Sequence, residues 1–184
     1  MIVLFVPMFF AGLILLSKNP DLLKKRLNAK ETQDEQSLVI KLSGLMFLTG
    51  FVLAGLSFRF SLLQFPRWLS FVGVAVFLIA YGLYAEVLRE NIYLSRTIEI
   101  QAEQTVVDTG LYGIVRHPMY AITVLLFLSM PLILGALLSF LIFLPYPAIL
   151  VRRIRNEEAI LENGLPGYQE YKKKVQYRMI PFIW

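Results

Sequence analysis

Apolar and polar positions fall in long blocks along this chain rather than with the short period of an amphipathic surface helix. Predominantly apolar runs cover Met1 to Ser17, Val39 to Phe58, Trp68 to Leu88 and Met119 to Val151, and charged or polar stretches separate them. A helix needs about 20 residues to cross a hydrocarbon core of about 30 Å, so the first three runs each match one crossing. The fourth would be about 50 Å long as a single helix. A break near Gly135 turns it into a hairpin of two short helices. The predicted spans are therefore 1–17, 39–58, 68–88, 119–134 and 136–151, an all-α integral membrane bundle of about five transmembrane segments in one domain, 1–184. The first run has no basic flank before it and no small-residue cleavage site before Lys18, so it reads as a retained span rather than a signal peptide. No internal repeat or low-complexity segment interrupts the pattern.

Composition agrees with this. The chain is 57% hydrophobic and 17% charged, against about 25% charged for an ordinary soluble domain, and its mean hydropathy is +0.63. It contains no cysteine, which removes disulfides, thiolate nucleophiles and zinc–thiolate sites. One histidine with no cluster of acids around it argues against a metal centre, and no metal is expected.

Charge assigns the sides. Five crossings put Lys18 to Leu38, Arg89 to Pro118 and Arg152 to Trp184 on one side, with Phe58 to Arg67 and the Gly135 turn opposite. Of the 18 Lys and Arg, only Arg59 and Arg67 fall on the second side, and all 13 acidic residues fall on the first. That is the positive-inside asymmetry, so the polar stretches are expected to be cytoplasmic. The net charge of +5 is then a topology signal with mild attraction to anionic headgroups, and no nucleic-acid partner is expected.

Candidate chemistry concentrates where the fourth run begins. Gly110-Leu-Tyr-Gly-Ile-Val-Arg-His-Pro-Met-Tyr120 places Tyr112, Arg116, His117 and Tyr120 at a membrane boundary, and Tyr120, three positions after His117, can share its helical face. The Gly135 hairpin would bring Arg152-Arg-Ile-Arg-Asn-Glu-Glu158 back to the same side, where Arg153 and Glu157 share a face at i, i+4. Ordinary structural readings stand beside each feature. His117 can be a plain helix cap before Pro118, the tyrosines an interfacial belt, and Arg153 with Glu157 a surface pair worth about 0.3–0.5 kcal/mol. Glu86, near the inner end of the third span, is either functional or snorkelling beside Arg89.

In combination these strings resemble the isoprenylcysteine carboxyl methyltransferase family, whose pattern the related phospholipid methyltransferases share. The resemblance rests on Val106-Val-Asp-Thr-Gly-Leu-Tyr112, Arg116-His-Pro-Met-Tyr120, Glu157-Glu158, Tyr168-Gln-Glu-Tyr171 and Val175-Gln-Tyr-Arg-Met-Ile-Pro181, and extends from about Asn91 onward. It implies an enzyme that binds S-adenosyl-L-methionine in a cytoplasm-facing pocket, about 101–120 and 153–158, releases S-adenosyl-L-homocysteine, and takes a lipophilic acceptor from the bilayer. By the same resemblance Gln101, Gln104, Thr105, Val106, Val107, Tyr112, His117, Pro118, Met119, Tyr120 and Glu157 are the expected cofactor contacts. Arg153 is the expected acceptor-binding arginine and Arg116 the second candidate for that role. The short form resembles prokaryotic members, which would place it in an inner membrane.

The cofactor carries the reactivity, so the protein's task is positioning, worth at best about 7–11 kcal/mol. A carboxylate acceptor is ionised at neutral pH and needs an arginine to orient it, but no base. Carboxyl O-methylation of an isoprenylcysteine-like acceptor is the leading expectation. N-methylation of a phospholipid or other lipid amine is the alternative and would need a carboxylate base, with Glu86, Glu157 and Glu158 as candidates. A non-catalytic membrane subunit is the third reading. A transporter would show paired intramembrane charges and repeated halves, and neither is present. One departure from the family pattern is Leu165-Pro-Gly-Tyr168, which stands where many members carry a Phe-Gly element.

Overall fold

The computed structural model describes residues 2–18, 20, 23–24, 34–94 and 100–184. The polar stretch predicted to join the first two spans lies largely outside the described residues, as do residues 95–99 of the stretch before Pro118. Among the described residues the fold is all-helical: α1 (Ile2–Lys18), α2 (Asp34–Phe60), α3 (Arg67–Glu90), a single 3-10 turn (Gly110–Gly113), α4 (Pro118–Ile133), α5 (Leu137–Phe143), α6 (Tyr146–Gly164) and α7 (Tyr168–Lys174). Ser37–Phe60, Arg67–Glu90 and Leu137–Gly164 are long and apolar enough to cross a membrane, the last running through a one-turn irregularity between α5 and α6, and Leu4–Ile14 and Pro118–Ile133 are shorter apolar helices.

The predicted break at Gly135 is present and its cause is local. Gly135 adopts φ +70°, a left-handed conformation that costs a glycine little. There its N–H donates to the Leu132 carbonyl (3.1 Å) and the Ala136 N–H to that of Pro131 (3.0 Å). This double closure is a Schellman motif, which satisfies carbonyls left over at the helix end. The α2–α3 loop meets the same turn, with Phe65 N–H donating to Gly135 O (2.9 Å) and Leu137 N–H to Leu63 O (3.1 Å). These two connections therefore lie at one end of the bundle, and the polar segments gather at the other.

Packing sorts the glycines of the second and third apolar runs. A Cβ on Gly50 would stand 2.4 Å from the Phe143 ring and one on Gly73 2.9 Å from the backbone of Ile133, whereas Gly44, Gly55 and Gly82 have open space. Gly50 and Gly73 thus let α2 approach α5 and α3 approach α4. Phe77, Ala80 and Val87 of α3 bury against Ile122 and Leu126 of α4. A second cluster joins Met46, Phe143, Tyr146, Leu150, Ile154 and Met179. A third, built from Leu165, Tyr168, Tyr171 and Val175 with Ile100, Val106 and Leu161, caps the polar end.

The fifth predicted span ends at Val151, and α6 continues as a helix past it through the charged residues to Gly164, the continuation that a shared face for Arg153 and Glu157 supposes. Loss of hydrophobicity marked the edge of the apolar run. The helix persists because its charged side chains find partners in the cap.

Candidate active site

Four pieces of chain build the polar end. Segment 100–113 is held against α3 by Glu90, whose carboxylate accepts the Leu111 N–H (3.1 Å). Gly110 sits at φ +51°, where a Cβ would lie 1.4 Å from Glu90 Oε1, so this junction requires glycine. The same segment is fastened to α7 by Tyr171, whose hydroxyl donates to Tyr112 O (2.8 Å), and by the Lys174–Asp108 ion pair (2.7 Å). Lys174 accordingly holds the Asp108 carboxyl below its usual range, first through the hydrogen bond and then through its charge. Burial pushes the phenols of Tyr112, Tyr168 and Tyr171 above the ordinary tyrosine value, although a hydrogen bond with Asn91 offsets part of the effect at Tyr112. All three are neutral at physiological pH.

At the start of α4, Pro118 occupies a first-turn position where its missing N–H costs nothing. His117 holds the cap position, but its side chain makes no capping bond. Its Nε2 instead lies 3.2 Å from Glu158 Oε1. The plain-cap reading of His117 is therefore corrected: Glu158 takes up the ring. Arg116 Nε donates to the same oxygen (2.8 Å), and its Nη1 donates to the carbonyls of Val175 (2.6 Å) and Gln176 (2.8 Å). Arg178 Nε donates to Glu158 Oε2 (2.8 Å). Glu158, with a side chain 3% exposed, is the junction where α4, α6 and the segment after α7 meet.

One residue earlier on α6, Glu157 faces elsewhere. The Tyr120 hydroxyl donates to Glu157 Oε2 (2.6 Å) and accepts from Arg153 Nε (2.8 Å). A phenol thus bridges the guanidinium and carboxylate that the i, i+4 spacing placed on one face. The Tyr120 and His117 rings are 5.7 Å apart, as the spacing of three predicted.

These side chains line a cavity of about 1290 Å³ with a mixed polar and apolar lining. Gln104, Thr105, Tyr112, Tyr120, Arg153, Glu157 and Tyr168 give it polar walls, Met8, Gly12, Ile40, Gly44, Leu126, Phe127 and Leu150 apolar ones, and Ser37, Lys41 and Ser43 of α2 also line it. Of the residues singled out from sequence, Gln104, Thr105, Val106, Val107, Tyr112, Arg116, His117, Met119, Tyr120, Arg153 and Glu157 all line it. Gln101 and Pro118 do not. Gln101 braces the segment, its backbone N–H donating to Gln104 Oε1 (2.9 Å) and its Nε2 to Tyr93 O (2.7 Å). Glu86 also lies outside the cavity and pairs with Arg89.

Two residues escaped the sequence reading. Tyr168 is buried in the cavity wall, and among the described residues its hydroxyl has no hydrogen-bond partner. Glu158 was considered only as a base. The doubled glutamate carried a usable signal, because adjacent helical positions do not face the same way.

A helical membrane bundle enclosing a cavity with both polar and apolar walls is the class that this fold and site define. The family model described as "Isoprenylcysteine carboxyl methyltransferase (ICMT) family" matches residues 71–163, and the chain belongs to that family. Its fold is similar to the solved structure of a eukaryotic intramembrane Ras methyltransferase, isoprenylcysteine carboxyl methyltransferase, with a TM-score of 0.64 at 24% identity over 77% of this chain and 52% of that one. It is also 35% identical over 91 residues to the delta(14)-sterol reductase TM7SF2 of Mus musculus, covering 48% of this chain and 22% of the reductase. The chain thus spans about half of the solved relative and less than a quarter of the curated one.

Proposed function

We propose that this protein is an S-adenosyl-L-methionine-dependent methyltransferase acting on a lipophilic acceptor, with carboxyl O-methylation of an isoprenylcysteine-like substrate as its reaction and the polar end of the bundle facing the cytoplasm. The observation that carries this reading is the mixed cavity, in which an arginine, a carboxylate and a buried phenol unpartnered among the described residues share the lining with apolar side chains of four helices. An orphaned buried hydroxyl costs about 1–3 kcal/mol, so Tyr168 calls for a polar ligand. Glu157 suits a cationic or hydroxyl-bearing group, and the backbone of segment 104–107 offers further donors and acceptors. These features fit the cofactor, which Gln104 to Val107, Tyr112, His117, Met119, Tyr120, Glu157 and Tyr168 would hold. When bound, it supplies a methyl carbon made electrophilic by the adjacent sulfonium.

The chain's own residues then have distinct duties. Arg153 orients the acceptor carboxylate, which is ionised at neutral pH and needs no base. Tyr120 fixes the Arg153 guanidinium by accepting a hydrogen bond from it, and Glu157 fixes Tyr120 by accepting the hydrogen bond of its hydroxyl. The apolar walls receive the lipid chain and exclude water, which strengthens each polar contact inside. Arg116, held through Nε by Glu158 and through Nη1 by two carbonyls, chiefly fastens the site at the cavity edge.

Reconstituted protein given methyl-labelled cofactor and a farnesylated cysteine with a free carboxylate tests the reading. Label released by mild base marks a methyl ester and is the expected product. Base-stable label in phosphatidylethanolamine would move the assignment to N-methylation. No transfer to either, with nicotinamide-dependent reduction of a sterol instead, would overturn it.

A further inference from the structure

We propose that residues 179–184 form a membrane-interface anchor, seated in the headgroup region of the leaflet next to the candidate site, that keeps Arg178 against Glu158. The route of the backbone places this segment at the membrane boundary. The N–H groups of Arg116 and His117, immediately before the apolar helix α4, donate to the carbonyls of Tyr177 (2.9 Å) and Arg178 (2.7 Å). Met179 is buried, and Trp184 packs beside it, in the apolar cluster that α2, α4, α5 and α6 share. The segment closes on itself, because the N–H groups of Met179 and Ile180 both donate to Trp184 O (2.9 Å each).

What this closed hook turns outward is apolar. Phe182 is 87% exposed and Ile183 78%, values otherwise reached in this chain by lipid-facing side chains such as Phe58 and Phe71 at 81% and 76%. Soluble surfaces seldom present such a cluster. Cations precede it along the chain: Lys172, Lys173 and Lys174 end α7, two of them paired with Glu162 and Asp108, and the Arg178 guanidinium lies 5.3 Å from the centre of the Trp184 ring. Aromatic side chains below a basic rim suit the boundary between acyl chains and anionic headgroups. The hook is continuous with the spanning core through Met179, so the lipid surface is its occupant. Membrane contact at Phe182 and Ile183 is thereby linked, through Arg178, to Glu158, Arg116 and His117.

The chain has no cysteine and two tryptophans, which makes the test clean. Spin labels on Phe182→Cys and Ile183→Cys in nanodiscs of phosphatidylcholine and phosphatidylglycerol should collide with oxygen in preference to a water-soluble nickel chelate, and the exposed control Glu170→Cys should show the reverse. In Trp68→Phe, lipids brominated near the headgroup should quench Trp184. Nickel-accessible labels at both 182 and 183, as a docked soluble partner or an aqueous loop would give, overturn the anchor, and so does unquenched Trp184. The link to Glu158 predicts about tenfold faster amide exchange at Arg116 and His117 in Phe182→Asp, since local opening sets that rate. Unchanged exchange there overturns the link.

Discussion

Adjacent carboxylates on α6 face two different environments, because one residue turns a helix by about 100°. Glu157 borders the cavity and accepts from the Tyr120 hydroxyl, which Arg153 holds in place. Glu158 points away into protein and is met by two guanidinium groups and the His117 ring. The first constellation borders the cavity and joins Tyr120 of α4 to Arg153 and Glu157 of α6. The second joins three parts of the chain around a buried carboxylate, with Arg116 and His117 also bordering the cavity. On the function proposed above, the polar cluster at the membrane boundary splits into a working half around Glu157 and a fastening half around Glu158.

The largest separation of the two halves should come from Glu158→Ala. Removing it strands the buried Arg116 charge, and breaking a buried pair in this way costs about 3–5 kcal/mol. A much lower thermal unfolding midpoint in detergent is expected. Glu157→Ala should shift that midpoint little, by about 1 kcal/mol or less, the worth of one hydrogen bond. Equal midpoints for the two variants would erase the distinction.

Alkaline pH probes the cap over both. Tyr112, Tyr168 and Tyr171 are raised above their unfolded value by burial, so the unfolded chain releases their protons first as pH rises. The stability they contribute is complete below about pH 10 and is lost above it, by up to about 1.4 kcal/mol per phenol for each pH unit. Unfolding midpoints measured from pH 8 to 11 should fall steeply beyond 10. Tyr171→Phe should flatten the decline. At the acid end Asp108 has the opposite sign: its lowered value means that the Lys174 tie is present above the unfolded carboxyl range and is lost as pH falls through the folded one.

Smaller effects sharpen the boundary between the halves. Tyr120→Phe removes the hydroxyl between Arg153 and Glu157 at about 1 kcal/mol of stability, yet should lower kcat/KM by about 10- to 100-fold, because Arg153 loses its position. A variant with unchanged kinetics would take Tyr120 out of the working half. Arg178→Ala, at a side chain 29% exposed, should cost about 1 kcal/mol or less, visible as a small drop in midpoint with catalysis retained.

Much of this arrangement could be read from the chain. The run from Met119 to Val151 was too long for one crossing, and Gly135 was the residue able to reverse it, so the hairpin and the return of Arg153 and Glu157 toward Tyr120 followed. Spacing on a single helix could not show that a tyrosine hydroxyl would stand between the arginine and the glutamate. Nor could it show Glu158 as the junction, because Arg116 is 42 residues away and Arg178 is 20. The extension of α6 past Val151 was supposed by the i, i+4 pairing of Arg153 with Glu157, but the distant partners that Glu158 finds there were not. Tyr168 stood within a string quoted for its resemblance, but its burial depends on packing against Ile100 and Val106, which no local pattern records.

Calorimetric titration of the purified protein with S-adenosyl-L-homocysteine, beside Glu157→Ala, tests the assignment of the working half most directly. The predicted result is saturable binding that weakens at least about tenfold in the variant, a loss of about 1.4 kcal/mol, while its unfolding midpoint stays near that of the parent. Equal affinity in the two proteins, or no saturable binding by well-folded parent protein, would contradict it.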